Sequence, residues 1–129
     1  MTEDCYPVRF DENSGRAYVE ATGDVYASNI QKTFLAIILN KVWLDGDRSI
    51  LWDFKNAFFD EAFEFADIFK TAQVSKSFTK PGKSAIIVEK NEMMMNRVAN
   101  FYRSLAENLT SRKIEIFYDR DGALAWLDS

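Results

Sequence analysis

Histidine is absent from this 129-residue chain, and cysteine occurs once, at Cys5. A chain without imidazole and with a single thiol has no Ser-His or Cys-His catalytic pair, no internal disulfide and no Cys/His cage for zinc. Long hydrophobic runs are also lacking, since the longest, residues 34–39, is far short of the ~20 residues that span a bilayer. The sequence therefore predicts no transmembrane segment, no metal site and no cofactor.

The composition is that of a globular protein, with 47% hydrophobic and 28% charged residues, which excludes an intrinsically disordered chain. We expect one domain, residues 1–129, because a chain of this size buries a sufficient core. The formal net charge of −4 disfavours phosphate backbones, so no nucleic-acid partner is expected. The first residues, MTEDCYPVRF, carry acids where a secretory signal has basic and then apolar residues, which predicts a cytoplasmic location.

Short apolar runs alternate with stretches of helical periodicity along the whole chain. The predicted strands are residues 8–10, 16–21, 49–54, 84–89 and 114–118. The predicted helices begin near Ser28 or Asn29, Asp60, Asn91 and Asp119 or Asp121. This order predicts an α/β fold with a mostly parallel sheet of four to five strands, an antiparallel N-terminal edge strand and helices packed on the sheet.

The closing segment IEIFYDRDGALAWLDS, residues 114–129, joins a final strand to an acidic turn and a short helix that contains ALAWL. With this element order and with SILWDF at residues 49–54, the chain resembles the STAS-like superfamily. Within it, the chain is most similar to the small proteins described as similar to bacterial anti-sigma-factor antagonists. The resemblance implies a STAS-like fold and a regulatory protein that binds a protein partner.

In the antagonists that the chain resembles, a strand ending in Asp precedes a helix whose first turn carries a phosphorylatable Ser after an Asp. The resemblance places the strand-end Asp at Asp53 and the Asp-Ser pair at Asp60-Glu61. No Ser or Thr occurs between Ser49 and Thr71, so the phosphorylation switch is predicted to be absent. Glu61 would supply a permanent negative charge at the helix N-terminus instead.

Aromatic and acidic residues crowd this strand-to-helix junction, which we predict to be the partner-binding site. Its residues are Phe58, Phe59, Asp60, Glu61, Phe63 and Glu64. If residues 62, 65, 66 and 69 form the core-facing side of the helix, Phe59 and Phe63 lie at its edge and mark a contact surface. Alternatives stay open for both groups. The two rings could instead pack beneath a neighbouring helix. The acids could only cap the helix and lie in solvent, or they could, with Asp53, bind Mg²⁺ or act in general acid/base catalysis.

Two further surfaces are candidates. Lys76, Lys80 and Lys83 lie in a stretch without acids and could contact an anion, or they are ordinary solvated lysines. The helix near residues 30–42 is apolar on more than one side, so it is either fully covered or exposes a homodimer surface. That surface would consist of Leu35, Leu39, Val42 and Trp43.

The function predicted from these observations is a non-enzymatic interaction module that docks a protein partner through the helix starting near Asp60. The alternative is a small-ligand domain, in which the many Phe residues line an apolar slot and the lysines receive an anionic headgroup. An enzyme ranks third, because the remaining acid/base groups are carboxylates and Lys, and no spacing singles one out.

Overall fold

The computed structural model of the chain describes residues 5–59, 65–75 and 81–129. As predicted, the described residues form an α/β fold with one five-stranded sheet and helices packed on it. The strands are β1 (Val8–Phe10), β2 (Ala17–Asp24), β3 (Ile50–Phe58), β4 (Lys83–Ile87) and β5 (Lys113–Phe117). The helices are α1 (Ala27–Ile38), α2 (Lys41–Asp45), α3 (Phe65–Ser75), α4 (Met93–Leu109) and α5 (Arg120–Asp128).

The strand order in the sheet, β1-β2-β3-β4-β5, is the order along the chain. β1 pairs antiparallel with β2, and all later neighbours are parallel. Each helical connection therefore steps one strand further in the same direction. Because such crossovers share one hand, the helices within them are expected on one face of the sheet.

One face of the sheet is covered by α1, α3 and α4, and we call it the three-helix face. Along each strand, the side chains that point to this face alternate with those that point to the opposite face. Side chains from β2 to β5 form the main core there with Phe34 of α1 and Met95 and Ala99 of α4. The buried strand residues of this core include Ala17, Val19, Ala21, Ile50, Trp52, Phe54, Ile86 and Ile114.

Of the helices that the structure describes, only α5 lies on the opposite face, which we call the α5 face. α5 begins at its predicted cap, where the Asp119 carboxylate accepts a hydrogen bond from the Gly122 N–H at 2.7 Å. The helix packs on β3, β4 and β5. A second, smaller core forms there from Leu51, Ala85, Ile87, Ala123 and Leu127.

A bulge interrupts the pairing of β2 with β3. Glu20 pairs with Asp53, whereas Thr22 pairs with Asn56, so β3 carries one extra residue. The Asp53 carboxylate accepts a hydrogen bond from the Lys55 N–H at 3.0 Å within the bulge. An extra residue reverses the alternation of the strand beyond it. Ala57 therefore packs in the core of the three-helix face, and the next residue points to the α5 face.

The helix predicted between residues 29 and 45 is two helices with a break at Leu39 and Asn40. The Asn40 side chain accepts a hydrogen bond from the Trp43 N–H at 3.2 Å and so caps α2. The new helix turns Trp43 inward, where it is 1% exposed and its Nε1–H donates to the Ser49 carbonyl. The prediction that Trp43 belongs to an exposed dimer surface is therefore wrong.

The core-facing side of α3 also differs from the prediction. Ala66 and Phe69 were expected in the core, but Ala66 is exposed and Phe69 is 48% exposed. Ile68, Thr71 and Ala72 are buried instead. α3 lies against both α1 and α4, so these two helices decide which of its sides is buried.

Helices that combine the length and the apolar character of a membrane span do not occur within residues 5–59, 65–75 and 81–129.

Candidate functional site

The carboxyl ends of the parallel strands β2 to β5 meet at one edge of the sheet, the edge at which ligands of open α/β sheets bind. β3 runs four residues further toward this edge than residue 54, the predicted end, and ends at Phe58. The Phe58 carbonyl accepts a hydrogen bond from the Val25 N–H at 2.9 Å. The strand end is thereby held against the end of β2, where Asp24 pairs with Phe58.

Large aromatic side chains at this edge remain in contact with solvent. Phe58 is 64% exposed, Tyr26, just after β2, is 58% exposed, and Tyr118, just after β5, is 47% exposed. Because Val25 is bonded to Phe58, the adjacent Tyr26 lies beside the Phe58 backbone. The sequence interpretation found Phe58 but missed both tyrosines, whose signal is their position directly after a strand.

Phe59, the neighbour of Phe58, belongs to the other side of the sheet. Its ring meets Phe54 edge-on, with 5.5 Å between the centroids, and packs on the main core. Phe54 in turn stacks parallel to Trp52 at 5.9 Å, and Trp52 contacts Phe34 at 4.8 Å. This aromatic series rigidifies the strand end, because offset and edge-on ring pairs stabilise beyond their buried area.

A small cavity of about 50 Å³ lies between the sheet and helices α1, α3 and α4. Thr71 is the one residue in its lining without an apolar or aromatic side chain, and its hydroxyl donates to the Asp67 carbonyl at 2.9 Å. The other lining residues are Ile30, Phe34, Trp52, Phe54, Phe59, Ile68, Ile86, Val88, Val98, Ala99 and Tyr102. The cavity is well below the ~300 Å³ at which drug-sized ligand sites begin.

Polar groups near the edge lie on the α5 face. The Arg120 guanidinium contacts the Asp53 carboxylate at 3.4 Å, and the Lys55 ammonium donates to the Tyr118 carbonyl at 3.0 Å. Asp53, the strand-end Asp of the resemblance, thus lies in an ion pair. Clusters of three or more carboxylate or cysteine ligands that could hold a metal ion do not occur in the described part of the chain.

The opposite, amino edge of the sheet is closed by two buried arginines. Arg112 donates to the Ser84 hydroxyl and to the Arg48 and Lys83 carbonyls, and burial lowers its pKa to about 10. Burial acts to lower the pKa of Arg16 as well, but hydrogen bonds to Asp128 and Tyr18 outweigh it and raise this pKa.

The remaining predicted site residues fall into three groups. Asp60, Glu61, Phe63, Glu64, Lys76 and Lys80 lie outside the described residues. Lys83 is half-buried, and its ammonium donates to the Trp126 carbonyl and to the carbonyl and hydroxyl of Ser129 at 2.7–3.0 Å. Leu35, Leu39 and Val42 are exposed, which is one of the two alternatives left open for this helix, and Leu44 is exposed as well. The homodimer stays a prediction.

Comparison of the chain with protein-family models, with curated proteins and with solved structures yields no match. The resemblance to the STAS-like superfamily therefore stays a prediction.

Proposed function

We propose that this chain is a non-catalytic interaction module that docks a protein partner at the carboxyl edge of its sheet. The observation that carries the proposal is the exposure of Phe58, 64%, at the end of a strand whose other aromatic rings are packed. Exposed aromatic side chains that lie together, as Phe58 and Tyr26 do here, mark an interaction surface. Aromatic anchors are among the few residues that dominate the energy of protein interfaces.

The backbone around Phe58 supports this proposal because it is held in place before any partner arrives. Hydrogen bonding from Val25 and packing of Phe59 on Phe54 fix the strand on either side of the anchor. A preorganised anchor loses little conformational entropy on binding.

Charge around the anchor favours a basic partner surface. Asp24, which pairs with Phe58, is exposed, and the sequence that follows Phe59 continues with the acids Asp60 and Glu61. The whole chain has a formal net charge of −4. Such charges raise the association rate with a partner of opposite sign and set its orientation, while the aromatic ring holds the complex. A STAS-like regulatory module would use this same strand-to-helix junction.

The test uses immobilised full chain to capture partners from extract of the source cells, with Phe58→Ala as the test variant. Phe69→Ala is the matched control, since Phe69 is also an exposed phenylalanine but lies on α3. We expect capture to fall about tenfold or more for Phe58→Ala, the loss typical of an interface hot spot, and to stay unchanged for Phe69→Ala. Equal capture by both variants would reject the proposal.

A second candidate function, binding of a small apolar ligand, is favoured by the cavity beneath Phe59. Its volume of about 50 Å³ accommodates a few heavy atoms and not a lipid chain. Native mass spectrometry of the purified chain tests it, with Ala99→Leu as the variant that fills the cavity. A bound small molecule that Ala99→Leu excludes would support this function, and an unliganded mass for the parent chain would eliminate it.

A further inference from the structure

On the α5 face, an open groove of about 320 Å³ lies over β1 and β2, beside the N-terminal end of α5. Its polar lining consists of Arg9, Tyr18, Glu20 and Arg120. The groove is separate from the aromatic cavity, which lies on the three-helix face, and its size is at the lower end of small-molecule sites, roughly 300–1,000 Å³.

Three guanidinium groups surround the ring of Tyr18. Arg9 is its cross-strand partner, and the Arg9 Cζ lies 4.3 Å from the ring centroid. The Arg120 Cζ lies 5.8 Å from the same centroid, and Arg16 Nη1 donates to the Tyr18 hydroxyl at 3.4 Å. Arginines that stack on an aromatic ring keep their N–H donors free at the edge of the guanidinium plane.

The three arginines differ in their carboxylate partners. Arg16 donates to Asp128 at 2.8 Å, and Arg120 contacts Asp53 through one nitrogen at 3.4 Å. Within residues 5–59, 65–75 and 81–129, Arg9 makes no salt bridge to a carboxylate. The groove therefore holds the donors of Arg9 and the remaining donors of Arg120 in fixed positions and close to one ring.

We propose that this groove binds the phosphate group of a small phosphorylated molecule between Arg9 and Arg120. Guanidinium groups match the geometry of phosphate oxygens and bind them with two hydrogen bonds each. Stacking on Tyr18 restricts the Arg9 side chain, and the ion pair with Asp53 restricts that of Arg120, before any ligand binds. Binding therefore costs less side-chain conformational entropy. The groove exceeds the volume of a phosphate group, which leaves room for the organic part of an ester.

Glu20 lines the same groove and opposes an anion there. Its carboxylate lies on the strand that carries Tyr18, two residues further along β2. Removing this charge increases the attraction of the groove for a dianion more than that of distant sites, because the interaction between charges falls with distance. Glu20→Gln is therefore expected to strengthen phosphate binding, a result that misfolding of the variant would not produce.

The experiment titrates inorganic phosphate and, in a second arm, phenyl phosphate into the ¹⁵N-labelled full chain at low ionic strength. The readouts are the arginine Nε–H and the β1 and β2 amide resonances. We expect saturable shifts, about tenfold weaker binding for Arg9→Gln and for Arg120→Gln, and several-fold tighter binding for Glu20→Gln. Arg97→Gln is the control, because Arg97 is an exposed arginine on α4.

Tighter binding of phenyl phosphate than of inorganic phosphate would assign the rest of the groove to the organic part of the ligand. Equal affinity would assign the site to the phosphate group alone, and both outcomes support the proposal. Shifts that do not saturate, or that are equal in Arg9→Gln, Arg120→Gln and Arg97→Gln, indicate screening by salt and would overturn it. The partner surface at Phe58 is unaffected by either result, since its test uses different variants.

Discussion

The two faces of the sheet differ in what covers them. The three-helix face is closed by α1, α3 and α4 over an aromatic core that includes Phe34, Trp52 and Phe54. In the described residues, the α5 face has one helix, which packs on β3, β4 and β5 and leaves an open groove over β1 and β2. The difference follows from topology: strands in chain order with crossovers of one hand place every connecting helix on the same side. One face of the sheet therefore carries the main core, and the other keeps part of its surface open to solvent.

The largest expected effect tests this contrast with two tryptophans. Trp52 is 3% exposed in the three-helix core, and Trp52→Ala should lower the free energy of unfolding by about 3–5 kcal/mol, as other large core truncations do. Trp126→Ala is the matched control, because Trp126 is half-buried on the α5 face. Urea denaturation measures both. An equal loss for the two variants would mean that the faces do not differ in stabilisation.

Leu127 tests how much the smaller core contributes. It is buried between α5 and the sheet with Leu51 and Ala123, and Leu127→Ala should cost about 2–3 kcal/mol, because this core is small. Leu39→Ala, at an exposed leucine, is the control and should leave stability almost unchanged. If Leu127→Ala proves neutral, α5 is not a fixed part of the sheet.

The bulge in β3 predicts unequal roles for two adjacent phenylalanines. Phe59→Ala should destabilise the fold by about 1–2 kcal/mol, because the ring is partly buried on Phe54, and Phe58→Ala by less than about 0.5 kcal/mol. Thermal unfolding of the two variants measures the difference. The reverse order would show that the strand continues without the extra residue.

Tyr6 gives the smallest effect and the one that depends on pH. Its hydroxyl oxygen accepts a hydrogen bond from the Tyr26 N–H at 3.3 Å, and burial raises its pKa above 10.0. A raised pKa contributes stability below pH 10.0 that is lost as the pH rises through the folded-state value. Tyr6→Phe should cost about 1 kcal/mol at neutral pH.

The alkaline measurement separates Tyr6 from other groups. The parent chain should lose more stability than Tyr6→Phe as the pH is raised above 10.0. Tyr118→Phe, at an exposed tyrosine, is the control and should follow the parent chain. Parallel curves for the parent chain and Tyr6→Phe would contradict the raised pKa.

Much of the fold could be predicted from local signals. The alternation of apolar runs with helical stretches gave the α/β class and the antiparallel first strand, and both are confirmed. Asp119 was one of two predicted caps, with Asp121, because a cap side chain needs only the N–H groups of the following turn, and the structure selects Asp119. Signals of this kind work because they act within a few residues.

The candidate site was less predictable, because it depends on the relative placement of distant elements. If α1 continued without a break, Trp43 would lie on its exposed side. The cap at Asn40 starts a new helix instead, and the Trp43 ring turns inward. Helical spacing placed Phe69 in the core, but Phe69 is exposed, and α3 buries Ile68 and Ala72 where it lies against α1 and α4. Helix periodicity alone does not reveal which side of a helix a neighbouring helix will cover.

The sequence by itself determined the class of fold, the strands, and the aromatic and acidic character of the segment after β3, since these follow from composition and local periodicity. The tertiary structure alone decided which aromatic ring of that segment meets solvent. Strict alternation from Trp52 and Phe54 would bury Phe58 and expose Phe59. One extra residue in β3 reverses this, so that Phe58 is exposed and Phe59 is packed. The position of such a bulge is fixed by the pairing of β3 with β2, and the residue pattern of β3 does not reveal it.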